Sequence, residues 1–539
     1  MEPLRLLLWT CLTAVAQPTA TPDAPPALLT NLGNYHRPIS SKSKTAQAYF
    51  DQGLRLLYAF NHEEAQAAFE EAARQDPSCA ICFWGAALTL GPNINLPAIP
   101  ERAEAAWAFL QKAKATAAGA SPVERALIAA LARRYAHPPP SEPEAQHALD
   151  TAYANAMRQV ARRFPKDADA STLFAEAMMD LRPWDFWTSE GAPQPGTEEI
   201  VRTLQAVLRA EPNHPGANHY LIHALEGSPH PERALASAER LKTLEPGAGH
   251  LVHMPSHVYI RTGHYAEGSE ANRQAIAVDA ASPHGQPIYA MYVAHNFQFL
   301  WATTLMEGRS AESLQAARDM LQRVPPEMLK GMPGLDYLLS YPVVGLVRFG
   351  RWREVLAEAS PSADFPTAQG IWHAARGLAL LKTADLAGAE RELTEVDALL
   401  KKTPAEAKEG TNSARVLLAI GLDVLGAELA VVQGDLATAL TRFERAVAAE
   451  DALAYDEPPD WVLPVRHQLG AVLLTAGRPS QAEAVYRADL LRHPHNGWAL
   501  FGLAQSLAAQ GKTAEAAEVH QAFTEAWKRA DVQLTASAF

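Results

Sequence analysis

The sequence predicts an all-α fold, a solenoid of stacked helical pairs with loop inserts, on three observations. Small residues, an aromatic and a proline recur in one order along the chain. No stretch alternates apolar and polar residues for long enough to argue a sheet. Finally, 539 residues at 48% apolar and 20% charged are too many for one small core. The order is clearest near the start, in Gly53, Ala65, Phe69, Ala72 and Pro77. Small residues let two helices cross closely, the aromatic fills the gap beneath the next pair, and the proline stops the second helix. The marks return as Gly434, Ala439, Phe443 and Ala446, then Gly470, Gly477, Ala482, Tyr486 and Pro494, then Leu503, Gly511 and Ala516.

Between these ends the spacing predicts further pairs at residues 80–118, 122–165, 168–212, 215–247, 249–282, 294–327, 336–360 and 370–402. Three inserts rich in Pro, Gly or aromatic residues, 91–100, 183–196 and 455–461, cannot continue a stack. They are expected to cap an edge or lean over a face. These marks resemble the tetratricopeptide-repeat family, in which a unit of about 34 residues is a helix-turn-helix. The predicted organisation is a signal segment over residues 1–16 and a flexible linker over 17–42. An amino-terminal array over 43–330 and a carboxy-terminal array over 331–539 follow.

The start carries Arg5, an apolar run over 6–15, and Ala14-Val15-Ala16 before Gln17. That is a Sec-type pattern cleaved after Ala16, which makes the expected location periplasmic or secreted. An uncleaved anchor, or lipid attached at Cys11, is the alternative. The run is short for a membrane span and no other segment suggests one. A formal net charge of −13 with 47 thinly spread basic residues disfavours nucleic acid as a partner. Once Cys11 leaves with the signal, Cys79 and Cys82 remain. An exported chain is expected to bond them, as a local staple or as a redox-active pair at a helix start. Phe83 stands where haem attachment needs a histidine.

The most specific feature is a histidine echo: His219 and His223 recur 34 residues later as His253 and His257. A spacing of four keeps each pair on one helical face, and histidine is scarce, at 19 of 539 residues. Glu226, His250 and Arg261 fall on the same stripe. Neighbouring first helices run about 10 Å apart, so imidazoles from two of them can share a metal. The expected ligands are His219, His223, His253 and His257, with His250 as the alternate. Glu226 is either a fifth ligand or a base beside a metal-bound water. Imidazoles with one carboxylate suit zinc, copper, iron or nickel, and disfavour magnesium or calcium. Glu176 and Asp180 could extend the stripe, Glu176 as a second catalytic carboxylate, or form a salt-bridged face. Trp184 and Trp187 should pack, on an edge of the array or as a lid beside the histidines. His295 is a further candidate behind the ligands.

The chain is similar overall to bacterial exported proteins described as tetratricopeptide-repeat proteins. The likeness rests on Pro215-Gly216-Ala217-Asn218-His219-Tyr220, the stretch from Pro246-Gly247-Ala248-Gly249-His250 to His257, His295-Asn296 and Glu457-Pro458-Pro459. It implies that the histidine places line a concave groove holding a protein, peptide or small molecule. Three functions remain open on the sequence: a groove-binding solenoid with a transition metal, a metal-dependent oxidoreductase or hydrolase at the same site, and a metal-free interaction scaffold. No phosphate cradle, Gly-x-Ser-x-Gly or His-Glu-x-x-His motif is present.

Overall fold

A computed structural model describes residues 25–281 and 287–539. The expected signal segment, Cys11 and the first part of the expected linker lie outside the described residues. Helical pairs follow one another along the chain. They are α1 (Lys44–Tyr58) with α2 (His62–Gln75), α3 (Ala80–Thr89) with α4 (Pro100–Thr116), α5 (Pro122–Leu131) with α6 (Pro143–Arg163), α7 (Ala168–Met179) with α8 (Thr197–Ala210), and α9 (Pro215–Glu226) with α10 (Leu235–Leu244). Next come α11 (Gly249–His253), α12 (Pro255–Thr262), α13 (Tyr265–Ala281), α14 (Pro287–Glu307), α15 (Ser310–Arg323) and the single turn α16 (Pro326–Leu329). The array ends with α17 (Tyr341–Arg348) and α18 (Trp352–Ala357), α19 (Pro366–Lys382) and α20 (Leu386–Lys402), α21 (Ala414–Val432) and α22 (Leu436–Asp451), α23 (Val465–Thr475) and α24 (Pro479–Arg492), and α25 (Gly497–Ala509) and α26 (Thr513–Ala526). The fold is all-α. The described strands, β1 (Lys408–Glu409) and β2 (Asn412–Ser413), form one two-residue antiparallel hairpin.

The described residues fall into two compact units. An amino-terminal unit runs to Val258 and includes residues 274–281, and a carboxy-terminal unit holds Tyr259–Arg273 and the chain from residue 287. The division therefore falls inside α12, not at residue 330. Contacts mark it, whereas the sequence pattern runs through it unchanged.

One packing device serves both units. Phe69 is fully buried between two glycines of consecutive first helices: a Cβ on Gly53 would lie 2.8 Å from its ring, and one on Gly85 2.5 Å from it. Tyr486 sits in the same way between Gly470 and Gly502, at 2.3 and 2.2 Å. Any larger residue at these glycines would push the aromatic out, which is the physical content of the repeat marks.

Residues 25–42 are not the expected flexible linker. Leu32 is buried, the Gly247 amide donates to the Asn31 carbonyl at 2.8 Å, and the buried Arg37 guanidinium reaches Asp167 at 2.8 Å and Asp169 at 2.6 Å. The composition of the stretch is that of a linker, but one arginine paired with two carboxylates straps it to the array. Cys79 and Cys82 are joined in a disulfide at the start of α3, and both are buried. Their burial fits the staple and leaves little access for thiol exchange.

In the carboxy-terminal unit the hairpin turns at Gly410, whose φ is +52°. It buries Glu409, which receives the Thr367 hydroxyl at 2.8 Å. Burial, and then a hydrogen bond to the neighbouring Asp336 carboxyl, push Glu409 up to about 10. The folded protein thus keeps a proton that the unfolded chain releases near 4.5, so stability is lost as pH rises from that value toward 10. Glu409→Gln keeps the shape and removes the ionisation. The variant is expected to be more stable than the wild type by about 1–3 kcal/mol at pH 9 and equal to it near pH 4.5. Urea denaturation at the two pH values checks this.

Candidate metal centre

The histidines are gathered where the fifth helical pair closes back on the first. Helix α9 starts at His214, whose Nδ1 accepts the Ala217 amide at 3.1 Å while its Nε2 lies 3.3 Å from Asp169. Every residue of α9 is buried. An all-buried helix is ordinarily apolar, so its polar side chains must find partners inside the protein.

His219 Nδ1 lies 2.6 Å from the Tyr58 carbonyl oxygen. A carbonyl only accepts, so the proton is on Nδ1 and Nε2 presents a lone pair. His223 Nδ1 lies 2.9 Å from Glu226 Oε1. Burial pushes the Glu226 carboxyl up, but His257 and His223 beside it pull harder and hold it down at about 2. The anion fixes the proton on His223 Nδ1, so Nε2 is again the bare atom, and it is buried with no hydrogen-bond partner. His250 Nε2 approaches His219 Nε2 to 3.2 Å. The donor atoms of His219, His223 and His250 all lie within 4.8 Å of one another. Two imidazoles on one tetrahedral ion, with bonds of about 2.0–2.1 Å, stand about 3.3 Å apart.

Burial lowers the basicity of all three rings, and for His219 and His250 adjacent histidines add to it. Neutral imidazole is the form that ligates. Phe60 walls the cluster, its ring centroid 4.6 Å from that of His219, 6.0 Å from His223 and 5.6 Å from His250.

His253 and His257 form a pair of their own, with Nε2 atoms 2.8 Å apart. The four expected ligands therefore do not share one point, and His250 takes the third place beside His219 and His223. Pro255, which lacks an amide hydrogen, interrupts the first helix of this repeat between α11, which carries His250 and His253, and α12, which carries His257. Glu226 lies against both groups: its Oε1 faces His223 Nδ1 and its Oε2 lies 2.8 Å from His257 Nδ1. It orients both rings.

The aromatic insert reaches this place. Trp187 Nε1 donates to the Ala224 carbonyl of α9 at 2.8 Å, and the Trp184 ring meets His223 edge-on with centroids 5.3 Å apart. Trp184 holds a φ of 63°, a left-handed conformation that costs a bulky residue about 1–2 kcal/mol. Glu176 and Asp180 belong to a separate buried group, where Asp180 accepts from Arg134 at 2.6 Å. Burial, then the nearby Asp180, raise Glu176 far above the carboxylate range. Arg261 lies in the carboxy-terminal unit over the Tyr455 ring at 5.3 Å, and His295, in the same unit, faces Gln298 with Nδ1 2.9 Å from Oε1. All five clustered histidines are at most 6% exposed, so they do not line an open groove.

Sequence reasoning missed Tyr58, Phe60, His214 and Asp169. One signal was available for Phe60. It stands at the turn of its pair with a φ of 59°, where other pairs carry Gly263, Gly308, Gly350, Gly434, Gly477 and Gly511 at positive φ. A phenylalanine in a glycine place needs a reason.

No family model and no curated protein matches the chain. Among solved structures it is similar to the human IFIT1 dimer with m7Gppp-AAAA, at TM-score 0.35 and 11% identity over 83% of this chain and 90% of that chain. It is also similar to yeast Tom70, at TM-score 0.30 and 9% identity over 89% and 93%. The Cut9–Hcn1 hetero-tetramer of the APC/C gives TM-score 0.28 and 10% identity over 90% and 88%. Likeness at these TM-scores carries no functional information.

The closure makes a testable demand. A Cβ on Gly216 would lie 2.3 Å from the Tyr58 ring, so Gly216→Ala must displace the residue whose carbonyl holds His219. It is expected to cost about 1–3 kcal/mol in urea denaturation, and metal retention should fall in the same variant.

Proposed function

We propose that this chain is a helical-repeat protein that holds a transition metal ion in its amino-terminal unit through His219, His223 and His250. One observation carries the reading. His223 Nε2 is buried and unpartnered while its Nδ1 is tied to an anionic carboxylate, and a lone pair left dry in this way is costly unless something binds it. Carboxylate-to-imidazole support on the far nitrogen is the usual device for raising a ligand's basicity and fixing its tautomer. The all-imidazole donor set suits zinc, copper or iron. Three protein ligands leave room for a further ligand on such an ion, and a metal so held supplies Lewis acidity or, for copper and iron, electron transfer.

That open position supports a second reading, an enzyme acting on a small molecule. Trp184 and Trp187 shelter the cluster, and its burial suits a small substrate better than a peptide laid along a groove. The reading also includes export. The Arg5-to-Ala16 pattern and a bonded Cys79–Cys82 pair support a periplasmic or secreted protein. Among the described residues no helix is long and apolar enough to cross a membrane.

Protein isolated from its native host, or stripped and reloaded with zinc, is expected to retain one equivalent at this site through gel filtration in weak chelator. His223→Ala should abolish that equivalent, and Glu226→Gln should weaken it by about 10–100-fold. Full retention by His223→Ala, measured by elemental analysis with circular dichroism confirming the fold, would sink the assignment.

A further inference from the structure

The pair His253 and His257 repeats the construction of the first site. In the first pair the Nδ1 atoms face outward, His219 to the Tyr58 carbonyl and His223 to Glu226 Oε1, which leaves Nε2 atoms inward. In the second pair His257 Nδ1 lies 2.8 Å from Glu226 Oε2, and His253 Nδ1 lies 3.5 Å from the Ser256 hydroxyl. Their Nε2 atoms again face each other, 2.8 Å apart. With the Glu226 carboxylate against its Nδ1, His257 presents Nε2 as the inward atom. Both residues are at most 1% exposed.

The two groups adjoin. His223 and His257 have ring centroids 5.8 Å apart, and His250 and His253 6.1 Å. Glu226 spans them, one oxygen on a histidine of each group. A single carboxylate therefore lies against one ring in each group, and the sequence echo of four histidines at matched repeat places becomes two adjacent donor sets.

We propose that the amino-terminal unit binds two transition metal ions, the second held through His253 and His257, with Glu226 as the positioning residue common to both. The inference rests on the metal reading above for its first ion. The second ion has the same chemical class, a borderline divalent cation that takes imidazole nitrogen, such as copper(II), zinc or cobalt(II). A metal-free alternative gives a different count: a hydrogen bond from His253 Nε2 to His257 Nε2 would close this pair without an ion.

The test is a titration of stripped full-length protein with copper(II), counting equivalents that survive gel filtration in weak chelator and recording electron paramagnetic resonance. The expected result is two equivalents per chain, with a spin count well below two because adjacent copper(II) ions couple magnetically. His253→Ala and the milder His257→Gln should each bind one equivalent with a full, uncoupled spin. One equivalent in the wild type, or two in both variants, overturns the second site while leaving the first intact. If the wild type retains none, or if His223→Ala still holds the first equivalent, the reading beneath it fails as well. Circular dichroism of each variant separates loss of a ligand from loss of fold.

Discussion

The hydrogen bond from His219 Nδ1 to the Tyr58 carbonyl is the contact on which the amino-terminal unit turns. It ties the end of the first helix to the fifth helical pair, a separation of 161 residues. Around it lie the Tyr58 hydroxyl, 2.5 Å from Asp169, and Arg37, which pairs with that same carboxylate at 2.6 Å. Burial pushes Asp169 up, yet Arg37 and then His214 hold it far below the carboxylate range. The strap at residues 25–42, the start of α7, the cap of α9 and the first histidine are thus one connected polar network. Such a network is costly if any member lacks its partner, which makes the closure specific.

The closure also sets the chemistry. Histidines on an open groove would titrate near their ordinary value, whereas burial keeps His219, His223 and His250 neutral. Neutral rings in a dry pocket repel one another less than imidazolium would, so the three can be packed side by side. Glu226, an anion buried among them, does not cancel a cation. It polarises two rings whose other nitrogens face inward.

Two of the four non-glycine residues with positive φ among the described residues lie at the histidines. Phe60 and Trp184 both hold left-handed backbone conformations, and both place an aromatic ring on the histidines. Local cost of this kind persists where surrounding packing over-determines it, and it accompanies functional sites more than ordinary turns. By contrast Glu176 and Asp180, both raised by burial, lie in a separate group in which Arg134 donates to Asp180.

The sequence by itself determined the repeats. Gly53 with Phe69, and Gly470 with Tyr486, fix close helix crossings through excluded volume, which is a local, short-range rule that spacing displays. It likewise showed that His219, His223, His253 and His257 hold matched places, because helical periodicity puts residues four apart on one face. Only the tertiary structure decided what those places face. Packing of α9 against α1 turned an expected groove into an interior and brought His250 to His219 and His223, so the histidines form a trio and a pair rather than one set of four. Pairings such as Arg37 with Asp169, or His219 with Tyr58, join residues more than a hundred positions apart. Their geometry follows from how many small helix-crossing rotations accumulate along the array, and no local spacing records that sum.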